Sequence, residues 1–95
     1  LPSTFRIDLG SPMAIIGAHL VFGDYQHSSA TGVLQSSTDD STWTDRAAWS
    51  NAYGTERFID LSASPVTARY WRIYTTAIYS SFGLDVAQFE LATAA

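Results

Sequence analysis

The chain has 95 residues, 46% apolar, 14% aromatic and 15% charged, which fits one domain with a modest core and excludes intrinsic disorder. Its net charge of −4 argues against binding nucleic acid or anionic lipid, and the absence of Cys excludes a disulfide scaffold or thiolate metal site. No apolar run is long enough to cross a bilayer, so no membrane insertion is expected. All five cations are Arg, and Ser and Thr supply 22 residues, so the polar surface is built mainly of hydroxyls.

The pattern is β throughout. Phe5-Arg6-Ile7-Asp8-Leu9 alternates apolar and charged, and Gly10-Ser11-Pro12 is predicted to stop that strand. A second strand runs from Ala14 to Phe22, with Ile16, Ala18, Leu20 and Phe22 on one face and Ile15, Gly17, His19 and Val21 on the other. A polar loop over Gly23–Thr31 leads to a strand over Gly32–Ser37. Asp39-Asp40-Ser41-Thr42 reads as a turn, because Asp and Ser side chains bond the nearby backbone. Trp43–Ala47 follows as a strand, Ala48–Thr55 as a loop, and Glu56–Leu61 as a strand that buries Ile59 and Leu61 with Phe58 facing the other way. After a turn through Pro65, Ala68–Thr75 is the strongest strand. Ala77–Leu84 reads as a loop, and Asp85–Leu91 closes the chain, burying Ala87, Phe89 and Leu91. The fold class is an all-β antiparallel sandwich or jelly roll of about seven strands, formed by residues 1–95 as a single domain.

Strand parity has a functional consequence. If successive strands run up and down, loops Gly23–Thr31, Ala48–Thr55 and Ala77–Leu84 share one end of the sandwich. They carry Asp24, Tyr25, His27, Trp49, Asn51, Tyr53, Tyr79 and Phe82. Aromatics with neighbouring Asp, Asn and His suit a neutral sugar, whose C–H face stacks on a ring while its hydroxyls seek planar polar groups. For Trp49, Tyr53 and Phe82, packing at the end of the sandwich competes with ligand contact. Trp43, Trp71, Ile73 and Phe89 are assigned to the core. Arg69 and Arg72 are expected to pair with acids such as Asp8, Asp60 or Glu90. His19 reads as a hydrogen-bonded sheet histidine.

Several segments resemble the discoidin, or coagulation-factor type C, domains and the related family 32 carbohydrate-binding modules, which have a galactose-binding-like jelly roll. These are Ile7-Asp8-Leu9-Gly10 with Pro12 and Ile15-Ile16-Gly17; Ser36 to Thr44 around Trp43; Thr67-Ala68-Arg69-Tyr70-Trp71-Arg72-Ile73; and Phe82 to Leu91. The resemblance implies a non-catalytic glycan-binding module with its ligand loops at one end. It places such a module in adhesion or targeting, on a larger extracellular or virion-surface assembly. The alternative is a structural decoration, fibre or spike component that contacts other protein subunits. The family's first strands have no counterpart before Leu1, so the chain reads as a piece of a longer polypeptide with an open sheet edge that favours an oligomer. Glu90 falls at the family's C-terminal calcium ligand, but one carboxylate cannot build a cage of six to eight oxygens. Asp24, His27 and Ser28 or Ser29 lack a nucleophile elbow, so no hydrolase, cofactor or metal is expected.

Overall fold

The structure, a computed structural model, describes residues 2–23, 29–50, 55–78 and 86–94. Six strands are present: β1 (Ser3–Phe22), β2 (Ser29–Ser37), β3 (Thr44–Trp49), β4 (Glu56–Asp60), β5 (Val66–Ile78) and β6 (Val86–Thr93). Every pairing is antiparallel, in the order β3-β2-β5-β1-β4, with β6 also on β1.

Among the described residues the strands number six, not seven, because the two predicted N-terminal strands form one. Gly10-Ser11-Pro12 makes a bulge inside β1: the register with β5 shifts between Asp8, opposite Tyr70, and Met13, opposite Ala68. Gly10 adopts a φ of 83°, a left-handed conformation glycine tolerates at no steric cost. The Asp8 carboxylate accepts the Gly10 amide at 2.8 Å and is clamped by Arg69 at 2.7 and 3.0 Å. The bulge is a bonded corner, which a turn signal alone does not reveal.

β1 is shared between two layers. Its first half, Ser3 to Asp8, pairs with β5 beside β2 and β3. Its second half, from Gly17 onward, lies between β4 and β6. The layers bury Ile15, Ala18, Leu20, Phe22, Leu34, Ala68, Trp71 and Ile73 between them. The register with β6 slips between Ile15 and Gly17. That bulge changes the face, so Ile15 is fully buried and Ile16 only partly, the reverse of the strict alternation expected.

Three further expectations need correction. Trp43 is half-buried and lies under the Arg72 guanidinium at 4.2 Å, outside the core. Ala87 is exposed, whereas Phe89 and Leu91 pack against the core. Arg72 donates to the Gln35 side chain at 2.6 Å instead of to an acid. The Asp39 turn forms as predicted. Its carboxylate accepts the amides of Thr42 (2.8 Å) and Ser41 (2.9 Å) and the Ser37 hydroxyl (2.9 Å), which hold its pKa down to about 2.

Candidate functional site

The pairings gather the strand ends that flank 24–28, 51–54 and 79–85. In one layer Phe22 lies opposite Val86 and Val21 opposite Glu56, while the Phe22 amide donates to the Thr55 carbonyl at 2.7 Å. In the other, Ser29 lies opposite Ile78 and Gly32 opposite Trp49. Asp24, Tyr25, His27, Asn51, Tyr53, Tyr79 and Phe82 themselves lie outside the described residues.

Trp49 is described. It closes β3, where a loop was predicted, and its indole bridges the layers. The indole N–H donates to the Ser29 carbonyl (3.0 Å) and hydroxyl (3.1 Å), and the Thr75 hydroxyl donates to the same Ser29 oxygen at 2.9 Å. Ser29 and Thr75 are fully buried, so these bonds satisfy groups that would otherwise be costly to desolvate. Gly32 makes room for the arrangement. A Cβ there would lie 2.7 Å from the Ser29 hydroxyl and 3.0 Å from the indole.

From β4, Arg57 lays its guanidinium 4.9 Å over the Trp49 ring, a cation–π contact between the layers. Its Nε is buried without a hydrogen-bond partner among the described residues, and burial lowers its pKa. The other arginines differ. Arg6 and Arg69 grip Asp40 and Asp8, and Arg46 and Arg72 donate to Ser36 and Gln35.

Beside this junction, the outer face of β2, β3 and β5 carries a groove of about 540 Å³ lined by Val33, Gln35, Asp45, Trp49 and Tyr74 among others. Arg72 donates to Gln35, whose amide donates to Asp45 at 2.8 Å; the Arg72 guanidinium also stands 5.3 Å from the Tyr74 ring. A planar amide and a carboxylate near an aromatic ring can meet sugar hydroxyls and a sugar C–H face together. Gln35, Asp45, Arg57 and Tyr74 escaped the sequence reading. Outward alternation marks Gln35 and Tyr74, but only the register sets Gln35 opposite both Arg72 and Asp45. Among the described residues, no group of three or more His, Cys, Asp or Glu could hold a metal ion.

No family model matches the sequence, and no curated protein is found similar to it. Solved structures do match. Chitosan-binding module 2 of a chitosanase/glucanase from Paenibacillus sp. IK-5, in complex with chitotriose, superposes with a TM-score of 0.87 at 23% identity, over 97% of this chain and 70% of that one. Chitosan-binding module 1 of the same enzyme gives 0.83 at 23% identity, over 96% and 68%. CBM32-1, from a family 31 glycoside hydrolase of Clostridium perfringens, gives 0.78 at 22%, over 98% and 70%. The chain therefore shares the β-sandwich fold of these modules.

Proposed function

We propose that this chain is a non-catalytic glycan-binding module, residues 1–95 acting as one unit, with its ligand end formed by 24–28, 51–54 and 79–85. The observation that carries this reading is the gathering of the three flanking strand ends around Trp49 and Arg57. The shared fold with modules that include one solved with chitotriose adds support. Tyr79 or Phe82 supplies the stacking ring, while Asp24, Tyr25, His27, Asn51 and Tyr53 offer further contacts to a neutral sugar. The module serves adhesion or targeting within a larger extracellular or surface assembly, virions included, where other subunits cover its open sheet edge.

A glycan array followed by calorimetric titration tests this. Tyr79→Ala with Phe82→Ala should abolish measurable binding, because losing contact aromatics at a hot spot costs on the order of 2 kcal/mol or more. Unchanged affinity in that double variant overturns the proposed ligand end. Hydrolysis of the bound glycan overturns the non-catalytic reading.

A further inference from the structure

The first half of β1, from Ser3 to Asp8, pairs with β5 on one side and, among the described residues, with no strand on the other. β4 and β6 join β1 only from Ile15 onward. This edge therefore presents a row of unpaired backbone N–H and C=O groups, a template for one more strand. It runs uninterrupted up to Gly10, where the bulge begins.

Alternation divides its side chains between two faces. Phe5 and Ile7 point into the sandwich, opposite Ile73 and Trp71 on β5, and Leu9 follows on the same face. Thr4, Arg6 and Asp8 stand on the outer face. Phe5 is 41% exposed at the rim, its ring 6.2 Å from that of Phe89. An apolar ring at the lip of an open edge leaves water when a strand is laid alongside it.

The edge complements itself. Antiparallel pairing about a two-fold axis through Ile7 sets Ile7 opposite Ile7, Arg6 opposite the second copy's Asp8, and Phe5 opposite its Leu9. The ion pair forms twice, once on each side of the axis, and the apolar pairs lie together on the inner face. Within one chain, Arg6 faces the like charge of Arg72 and is balanced by Asp40, while Asp8 faces Tyr70 and is held by Arg69. Across the axis these become an alternating row of Asp40, Arg6, Asp8 and Arg69, which opposite-charge pairing between strands favours.

The other open edges do not match themselves. The outward residues of β4 are Glu56, Phe58 and Asp60, so pairing about Phe58 would set carboxylate against carboxylate. On β3, Asp45 and Arg46 are neighbours on opposite faces and cannot meet across such an axis. β6 carries Glu90 and no cation.

We infer that residues 3–9 form a homodimer edge, where a second copy of this chain adds its own β1 and joins the two β3-β2-β5-β1 sheets into one. The inference specifies which subunit covers the open edge and is independent of the ligand end. So short an edge makes a small interface, and the dimer is weak, with a dissociation constant on the order of 100 μM.

Analytical ultracentrifugation of the intact chain should show monomer at about 1 μM and mostly dimer at about 1 mM. Over the same range, amide hydrogen exchange within 3–9 should slow, with the β3, β4 and β6 edges unchanged. Arg6→Asp and Asp8→Arg should each weaken self-association by about tenfold or more. Mixing the two variants should restore association as a heterodimer, because each supplies the charges the other lacks. Circular dichroism verifies the fold of both variants, and the exchange measurement needs neither. The inference is overturned by a monomer at the highest concentration, by self-association that both variants retain, by a mixture of folded variants that stays monomeric, or by protection at another edge in place of 3–9. A dimer without glycan binding, or a monomer with it, distinguishes failure of one reading from failure of the other.

Discussion

The two ends of the sandwich solve opposite problems with the same residue type. At the end with the β1 bulge and the Asp39 turn, guanidinium meets carboxylate: Arg69 on Asp8, and Arg6 on Asp40 at 2.6 Å. Both cations also lie about 5 Å from the Tyr70 ring, 4.9 Å for Arg69 and 5.0 Å for Arg6. At the opposite end, Arg57 has an indole beneath it and no carboxylate among the described residues. One end is internally neutralised and braced. The other joins the two layers through Arg57 and Trp49 without a charge partner for the cation among the described residues.

The largest test of this contrast lies between the ends. Trp71 is fully buried, and Trp71→Ala should cost about 3–5 kcal/mol, measured by denaturant unfolding. Glycan affinity of the remaining folded fraction should be little changed. At the junction, Gly32→Ala forces a methyl group against Ser29 and Trp49, and should cost about 1–3 kcal/mol while also weakening glycan binding. A loss of stability without loss of binding would separate the junction from the ligand end.

The arginines allow a finer comparison. Arg69→Ala should lower the melting temperature and leave glycan titration unaltered. Arg57→Met keeps much of the packing on Trp49, so it should leave the melting temperature nearly unchanged and weaken binding. The reverse pattern would erase the distinction between the ends.

The smallest expected effect is a pH dependence confined to the braced end. Arg69 and the Gly10 amide hold the Asp8 carboxyl down to about 2, and the Thr42 and Ser41 amides do the same for Asp39, against ordinary values of 3.8. Because the folded values are depressed, this stabilisation is complete above about pH 4 and disappears as pH falls toward 2. Thermal melts from pH 5 to 2 should show the decline, and Asp8→Asn with Asp39→Asn should flatten it.

Local chemistry made much of this fold legible. The Asp39 turn, the strand through Trp71, the outward Phe58 and the bonded His19 all follow from side-chain type and alternation. The Asp8–Arg69 pair was among the partners charge alone suggests. What alternation could not supply was the position of the bulges. One joins two strands through Gly10, and the other puts Ile15 in the core in place of Ile16. Trp43 misled because an aromatic after a turn reads as core, whereas Arg72 covers it on the outer face. At the proposed ligand end, parity of strands indicated which flanking strand ends come together. The Trp49–Arg57 contact needed the spacing between layers, and the Gln35–Asp45 bond needed a register, neither of which is written in neighbouring residues.

The sharing of β1 between layers also governs how the chain can fold as it leaves the ribosome. β1 emerges first, yet its partners are residues 56–60, 66–75 and 86–93. Until those have been synthesised, its apolar residues Ile15, Leu20 and Phe22 lack the strands they pair with in the folded sandwich. Only β2 and β3 can form a local hairpin in the meantime. Such late, non-local closure makes for slow folding and a long exposure of β-prone sequence. The nascent chain should therefore remain protease-sensitive until β6 clears the exit tunnel, and then become resistant in one step.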